Sequence, residues 1–287
     1  MNKVSVCSIR QRKGKKKVTM LTCYDYSFAK ILDSSGIDIL LVGDSMSNVV
    51  LGLKETRKVA ISEMVNHTLA VGRAVKNALV VADMPYLSYQ TNPEKSLYYA
   101  KKFISSGAEA VKIEWFGGDK FLDNAAGGCP YVVKKLIKNK VPVMGHIGLT
   151  PQTVHLLGGY RVQGKDKKEA AKLIQQAKLL QDLGVFSIVL ECIPCELAEY
   201  ITKNLTIPTI GIGAGKFCDG QVLVVYDCLG LYPDVTPKFV KRYCDLSKII
   251  DSAAKGFISD VQKMKFPDTS HSYHFNDNQW DEFKADL

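Results

Sequence analysis

Residues 166–191 read DKKEAAKLIQQAKLLQDLGVFSIVLE and contain one full copy of the pattern that decides the fold. Helical spacing places six apolar side chains on one face, at Ala170, Leu173, Ile174, Ala177, Leu180 and Leu183. Gly184 predicts the end of this helix. The apolar run 186–190 then predicts a buried strand, which ends at the charged residue Glu191. A helix followed at once by a buried strand is typical of an α/β fold.

The same pattern recurs along the whole chain. Eight apolar runs predict strands, at residues 18–23, 38–42, 78–82, 110–113, 141–145, 186–190, 207–212 and 221–225. Segments 62–75 and 93–107 have helical spacing and lie between such runs. Strands that alternate with helices pair in parallel, and eight such units predict a closed (β/α)8 TIM barrel. An open, doubly wound parallel sheet is the alternative.

No repeat, low-complexity tract or flexible linker divides the chain before about residue 265. We predict a basic N-terminal arm at residues 1–17, in which six positive charges lie between Arg10 and Lys17. A single catalytic barrel with a C-terminal helix is predicted at residues 18–265, and a tail at residues 266–287.

Composition limits the classes of protein that the chain can belong to. The 287 residues are 46% hydrophobic, which is enough for a substantial core. Eight cysteines, several of them inside apolar runs, favour a reducing, cytoplasmic location. The basic start lacks the apolar segment of a signal peptide, and no stretch is long enough to span a membrane. The net charge of +9 comes without a nucleic-acid-binding motif, so we expect small anionic substrates and neither nucleic acid nor membrane as partners.

Nearly every predicted strand ends at a residue that can do acid–base or metal chemistry. These residues are Tyr24 and Asp25, Asp44 and Ser45, Asp83, Lys112 and Glu114, His146, Glu191, the segment 211–215, and Asp227. Barrel enzymes place their active sites at this end of the barrel. Asp and Ser also cap the helices that follow strands, but capping does not explain so many such residues on one face.

Lys112 and Glu114 lie two residues apart in the predicted fourth strand, so their side chains point to the same side. A lysine and a glutamate together belong at the polar mouth of a barrel. A structural ion pair at the rim is the alternative for this motif.

Three carboxylates end neighbouring strands, because Asp44, Asp83 and Glu114 follow the predicted strands two, three and four. Like charges at one point repel and raise one another's pKa, and a divalent cation removes that conflict. Ligation by oxygen alone favours Mg²⁺ or Mn²⁺ over zinc. The remaining coordination positions suit the carboxylate and keto oxygens of a 2-oxo acid.

Other motifs at the strand ends have more than one interpretation. Cys192 and Cys195 form a C-x-x-C pair that suggests zinc or redox chemistry, but no second Cys or His pair has suitable spacing. Glu191 is either a functional carboxylate across the barrel from the metal or a helix N-terminal carboxylate, and His146 is either structural or a substrate contact. The segment 211–215, GIGAG, lacks the spacing of a dinucleotide-binding loop and predicts a loop whose backbone approaches a ligand.

The chain closely resembles the ketopantoate hydroxymethyltransferase family over about residues 15–275. The matching phrases, in family order, are TCYDYSFAK, LLVGDSM, VADMPYLSY, VKIE, PVMGHIGLTPQ, GGYRVQG, VLECIPCELA, IPTIGIGAG and DGQVLV. The resemblance implies a TIM barrel of the phosphoenolpyruvate/pyruvate-binding type and usually a homodecamer. Two segments depart from the family pattern, an insertion at residues 115–129 and a tail at residues 276–287.

The resemblance also implies a reaction. A hydroxymethyl group passes from 5,10-methylenetetrahydrofolate to 3-methyl-2-oxobutanoate through a metal-stabilised enolate, giving 2-dehydropantoate for pantothenate biosynthesis. The implied site residues are Asp44, Asp83 and Glu114 for the metal, Ser45, Asp83, Lys112 and His146 for the substrate, and Glu191 for proton transfer. A Mg²⁺-dependent lyase or mutase of the same superfamily is the alternative enzyme, although its K-K-C-G-H-type cysteine loop is absent. A basic nucleic-acid-binding protein, the alternative from another class, leaves the carboxylate-ended strands unexplained.

Overall fold

The computed structural model describes residues 3–90, 92–117, 128–232, 237–276 and 279–287. Eight parallel strands form a closed barrel in chain order. The strands are β1 (Val18–Thr22), β2 (Ile39–Val42), β3 (Leu79–Asp83), β4 (Ala110–Glu114), β5 (Val143–Gly148), β6 (Ser187–Glu191), β7 (Thr209–Ile212) and β8 (Gly220–Leu223). Because β8 pairs in parallel with β1, the sheet has no free edge. The barrel prediction is confirmed, and the open sheet is excluded.

Helices lie between most of the strands, and further helices precede β1 and follow β8. They are α1 (Val6–Arg10), α2 (Tyr26–Ser34), α3 (Met46–Val49), α4 (Ile61–Ala74), α5 (Tyr86–Tyr89), α6 (Pro93–Ser105), α7 (Gly128–Lys138), α8 (Lys167–Leu183), α9 (Cys195–Asn204), α10 (Val225–Cys228), α11 (Leu246–Gln262) and α12 (Gln279–Ala285). The helix predicted first from the sequence, α8, begins after the N-cap Asp166 and ends at Gly184, whose φ of 97° suits glycine. None of the helices in the described ranges combines the length and apolar character that a bilayer-crossing segment needs.

Two strands differ by more than one residue from their predicted limits at the C-terminal end of the barrel. The predicted fifth strand stops at residue 145, but β5 continues to Gly148 because His146 pairs in register with Glu114 of β4. The predicted eighth strand reaches residue 225, but the Val225 backbone N–H donates to the Thr22 hydroxyl and Val225 begins α10. His146 is therefore a strand residue, and the eighth strand is shorter than predicted.

Strand side chains alternate between two cores. One core fills the barrel interior and includes Met20, Ile39, Leu79, Val81, Ala110, Met144, Val189 and Ile210. The other lies between the strands and the surrounding helices and includes Leu40, Val80, Val111, Ile113, Ile188 and Leu190. This alternation confirms that Val111 and Ile113 point away from Lys112 and Glu114.

The predicted basic arm packs against the N-terminal end of the barrel. Ile9 of α1 is fully buried in the interior core. Lys13 Nζ lies 2.8 Å from Asp219 Oδ2, and the same carboxylate accepts the Thr209 backbone N–H at 2.9 Å. The arm thereby ties the base of the barrel to the connection between β7 and β8.

We expect Lys13→Gln to lower the free energy of unfolding by about 1–3 kcal/mol and to leave kcat nearly unchanged. The change leaves the buried Asp219 carboxylate without its cation, although Lys13 is 20% exposed and its pair is weaker than a fully buried one. Urea unfolding and steady-state kinetics measure the two effects. Lys16→Gln, at an exposed position of the same arm, is the control and should change neither quantity. A loss of kcat in Lys13→Gln comparable with that of a metal-ligand variant would show that the arm contributes to the active site.

Candidate active site

Five polar side chains continue the inward-facing rows of the barrel core at the C-terminal mouth. In β4, Ala110 belongs to the interior core, and Lys112 and Glu114 follow it at steps of two. By the same alternation, five side chains point into the barrel: Asp83, Lys112, Glu114, His146 and Glu191. The first four are buried, while the side chain of Glu191 is 16% exposed. The mouth therefore contains four buried polar or charged side chains and one carboxylate, that of Glu191, which is partly exposed to solvent.

Lys112 is the cation at the centre of this layer. Its Nζ lies 2.7 Å from Asp83 Oδ1, and both side chains are buried. Burial raises the pKa of Asp83 to about 6, although the Lys112 charge opposes that rise. Burial lowers the pKa of Lys112, but Asp83, Glu114 and Asp44 outweigh it and raise the value above its ordinary range. Lys112 thus forms its ion pair with Asp83. The alternative considered from the sequence, a simple ion pair between Lys112 and Glu114 at the rim, does not form.

His146 connects the two sides of the barrel. Its Nδ1 lies 3.4 Å from Glu114 Oε1 and 3.3 Å from Lys112 Nζ, and its Nε2 lies 3.1 Å from Glu191 Oε2. Burial and the Lys112 charge lower the pKa of His146, but contacts with Glu114 and Glu191 raise it to about 9. Despite that proximity, the angle at Nε2 gives this buried atom no hydrogen bond to any described residue. A ligand at the mouth would give it a partner.

Gln152 is a site residue that the sequence analysis missed. It lies in the 3₁₀ turn Pro151–Leu157 after β5 and is 1% exposed. Its side-chain Nε2 donates to Asp44 Oδ2 at 2.7 Å, and its backbone N–H donates to Glu114 Oε2 at 3.0 Å. Its Oε1 accepts the Tyr89 hydroxyl at 2.6 Å. One residue therefore holds the carboxylates of β4 and of the turn after β2 in place.

We expect Gln152→Met to lower the free energy of unfolding of the metal-free protein by about 1–3 kcal/mol. Methionine matches the length of glutamine but leaves the buried Asp44 carboxylate and the Tyr89 hydroxyl without a hydrogen bond. Urea unfolding in EDTA provides the measurement, and Gln175→Met at an exposed position of α8 is the matched control. Equal stability of the two variants would mean that Gln152 does not hold these groups.

Ser45 lies beside the carboxylates at the start of α3. Its Oγ is 2.9 Å from the hydroxyl of the buried Tyr24. A Cβ on Gly43 would lie 2.9 Å from Ser45 Oγ and 3.6 Å from Asp83 Oδ2. The absence of a side chain at Gly43 therefore lets Ser45 and Asp83 approach each other next to Asp44.

The carboxylates of Asp44, Asp83 and Glu114 form a cluster whose negative charge is only partly compensated. Burial raises the pKa of Asp44 to about 6, and the Glu114 charge raises it further. Asp44 Oδ2 is held by Gln152, whereas Oδ1 accepts no hydrogen bond from the described residues. No three His, Cys, Asp or Glu side chains in the described ranges are already arranged around a single metal position. The residues still fit a hard divalent cation, because they offer only oxygen ligands and an excess of negative charge.

Several residues considered from the sequence lie outside this cluster. Asp25 caps α2 by accepting the Phe28 backbone N–H at 2.9 Å, so it has the helix-cap role. Cys192 and Cys195 are free thiols, and a Cβ on Gly215 would lie 2.5 Å from Cys195 Cβ. The backbone at Gly215 therefore packs closely against Cys195. Most of the insertion predicted at 115–129 lies outside the described residues.

Comparison with known proteins decides the family. The model of the family described as ketopantoate hydroxymethyltransferase matches residues 3–269. The chain belongs to this family. A protein from Caldicellulosiruptor saccharolyticus named 3-methyl-2-oxobutanoate hydroxymethyltransferase is 49% identical over 95% of this chain and 100% of its own length. A protein of the same name from Clostridium botulinum strain Langeland is 48% identical over 96% of this chain and 97% of its own length.

Solved structures with the same barrel are more distant in sequence. Phosphonopyruvate hydrolase, solved in complex with oxalate and Mg²⁺, has a TM-score of 0.59 and 10% identity over 100% of this chain and 96% of that chain. 2,3-Dimethylmalate lyase, described as a member of the PEP mutase/isocitrate lyase superfamily, has a TM-score of 0.57 and 13% identity over 100% of this chain and 99% of that chain. These likenesses confirm the fold, a closed (β/α)8 TIM barrel.

Proposed function

We propose that this chain transfers a hydroxymethyl group from 5,10-methylenetetrahydrofolate to 3-methyl-2-oxobutanoate, giving 2-dehydropantoate in pantothenate biosynthesis. Family membership and the names of relatives at 48–49% identity support the reaction. One structural observation carries the mechanism: a partly exposed Glu191 faces a buried, carboxylate-rich cluster across the same barrel mouth. In the eight-stranded ring, β6 lies opposite β2, which precedes Asp44.

The proposed cofactor is a divalent cation, Mg²⁺ or Mn²⁺, held by Asp44, Asp83 and Glu114. When bound, it supplies positive charge that stabilises the negative charge developing on the 2-oxo acid, a contribution of several kcal/mol. The buried groups themselves support this assignment, because three carboxyls lie beside a single lysine ammonium group and a divalent cation would balance the excess negative charge.

The substrate contacts proposed for Ser45, Asp83, Lys112 and His146 come from the family resemblance, and the geometry of the cluster supports them. Lys112 provides a buried ammonium group that attracts the anionic oxygens of a 2-oxo acid. His146 Nε2, buried and without a hydrogen bond to the described residues, donates to the same ligand when the imidazole is protonated. Ser45 Oγ, which lies at the rim of the cluster, donates or accepts there. Together these groups orient the substrate with its C3 proton toward the opposite wall.

Glu191 is the proposed general base. It takes the proton from C3, and the carbon left with the electron pair attacks the one-carbon unit. In balance, one water molecule is consumed: the two C–N bonds that hold the one-carbon unit on the carrier break, the C3–H bond breaks and a C–C bond forms. The water oxygen becomes the new hydroxyl group, and the two nitrogens leave as tetrahydrofolate after gaining two protons in total, equal to one from C3 and one from water. His146, whose Nε2 lies 3.1 Å from Glu191 Oε2, helps to hold that carboxylate in position at the barrel mouth.

Solvent exchange tests the proton-transfer half of this function without folate. The protein is incubated with Mg²⁺ and 3-methyl-2-oxobutanoate in D₂O, and the C3 proton signal is followed by NMR. We expect its steady loss with no cleavage of the carbon skeleton, and no loss with Mg²⁺ alone. A stable C3 signal in the presence of protein would argue against enolisation at this site, and carbon–carbon cleavage products would favour the lyase alternative.

We also propose that the protein is cytoplasmic and forms a homo-oligomer. The family resemblance implies that this oligomer is a decamer. All eight cysteines are free thiols, which suits a reducing compartment. Helix α11 supports association, because none of its 17 residues is buried although Ile249, Ile250, Phe257 and Ile258 are apolar and exposed. Such an uncovered apolar helix face is characteristic of a contact between protein chains.

A further inference from the structure

Residues 158–164, here called the mouth loop, lie between the 3₁₀ turn after β5 and helix α8. It follows the 3₁₀ turn that carries Gln152, which is bonded to Asp44 and Glu114. Near its other end, the Gln163 backbone N–H donates to the Cys192 carbonyl at 2.9 Å, one residue beyond Glu191. The mouth loop is therefore fixed at its C-terminal end next to Glu191, and the 3₁₀ turn joins its other end to Gln152.

The mouth loop presents an aromatic and apolar surface to solvent at this position. Tyr160 is 66% exposed, and Val162 and the preceding Leu156 are also exposed. Partial burial raises the pKa of the Tyr160 phenol, and the charges of Asp44 and Glu191 raise it further, so the ring lies within the field of the cluster. An exposed aromatic ring this close to a buried polar site is a stacking surface for a planar ligand.

Arg161 follows Tyr160 directly in the mouth loop and is exposed. No described carboxylate lies within ion-pair distance of its guanidinium group, whereas Lys112 and Lys13 both have such partners. Arg161 folds back so that its Cζ lies 3.2 Å from the position of a Cβ on Gly158. Gly158 and Gly159 have φ values of 74° and 99°, which side chains strongly disfavour. Tyr160 and Arg161 therefore follow a turn whose backbone conformation favours glycine.

The proposed reaction needs a second substrate that these two residues suit. The buried cluster has groups for a small 2-oxo acid, so the one-carbon unit must reach C3 from the solvent side of the mouth. Its carrier combines a planar bicyclic ring, an aminobenzoyl ring and an anionic glutamate tail. A stacking ring beside an unpaired guanidinium group matches a planar, anionic molecule.

We propose, resting on the proposed function, that Tyr160 stacks on the planar ring of the folate one-carbon carrier and that Arg161 pairs with its glutamate carboxylates. The mouth loop thereby selects the carrier, while the buried cluster selects the 2-oxo acid. The two substrates are recognised by separate sets of residues in one site.

Kinetics with each substrate varied in turn tests this separation. Tyr160→Ser should raise KM for 5,10-methylenetetrahydrofolate about 10- to 100-fold, the loss expected for one stacked ring. Tyr160→Phe, which keeps the ring, should restore KM to within about threefold. KM for 3-methyl-2-oxobutanoate and the folate-free C3 exchange rate should stay at wild-type values in Tyr160→Ser. Tyr98→Ser, at an equally exposed position on the outer helix α6, is the matched control.

Arg161→Ala adds a test specific to the tail, because its KM increase should be larger for a polyglutamylated carrier than for the monoglutamate. Isothermal titration with tetrahydrofolate measures binding without turnover. Unchanged carrier affinity in both Tyr160→Ser and Arg161→Ala would overturn the proposal, and so would parallel losses in carrier binding and folate-free exchange. Tyr160-dependent tetrahydrofolate binding in a protein that forms no 2-dehydropantoate would support this site and overturn the proposed function instead.

Discussion

Glu191→Gln is expected to slow exchange of the C3 proton of 3-methyl-2-oxobutanoate with D₂O by about 10²- to 10⁴-fold, the usual contribution of a positioned general base. Glutamine keeps the size of the side chain and removes its ability to take a proton. Because Glu191 is separated from Asp44 and Asp83 by the barrel mouth, the affinities for Mn²⁺ and for the 2-oxo acid should change little.

NMR measures the exchange rate without folate, so that proton removal is seen apart from transfer. The matched control is Glu196→Gln, which alters an exposed carboxylate in the first turn of α9 and should leave exchange unchanged. An exchange rate in Glu191→Gln equal to that of the wild type would mean that another group takes the proton. Glu191 would then have only the helix-terminal role considered from the sequence.

Asp83→Asn should produce the second large effect, a loss of metal and substrate affinity and not of proton transfer alone. It removes a charge proposed to bind the cation and also leaves the buried Lys112 ammonium without its partner at 2.7 Å. Affinities for Mn²⁺ and for 3-methyl-2-oxobutanoate should fall together by about 10²-fold or more, since loss of an outer-shell partner alone costs about 10- to 100-fold.

Electron paramagnetic resonance of Mn²⁺ gives the metal affinity, and equilibrium dialysis gives that of the 2-oxo acid. Asp182→Asn, exposed on α8, is the control. Treatment of the wild type with EDTA should abolish turnover, and added Mg²⁺ or Mn²⁺ should restore it. Full activity after chelation, or wild-type Mn²⁺ binding in Asp83→Asn, would contradict the proposed metal site.

The site residues that lie on strands or directly after them could be predicted from the sequence, because side chains alternate along a strand and the strands follow one another in chain order. Lys112 and Glu114 had to share a face because they are two residues apart on one strand. Asp44, Asp83 and Glu114 had to be near one another because strands adjacent in the chain are adjacent in a barrel. These arguments need only the period of a strand and the order of the strands.

The contacts of residues in turns and loops could not be predicted in this way. Gln152 lies in a 3₁₀ turn, where no period indicates the direction of a side chain, and its partners Asp44 and Tyr89 are distant in sequence. Its position in GHIGLTPQ, six residues after His146, was the available signal. The docking of the basic arm depends in the same way on Asp219, more than two hundred residues from Lys13.

The central claim is most directly tested by product formation from both substrates. The purified protein is incubated with Mg²⁺, 3-methyl-2-oxobutanoate and 5,10-methylenetetrahydrofolate, and 2-dehydropantoate is quantified by mass spectrometry. We predict that 2-dehydropantoate forms only when protein, metal and folate are all present, with one tetrahydrofolate released for each product molecule. The absence of 2-dehydropantoate from a folded protein that binds both substrates would contradict the account.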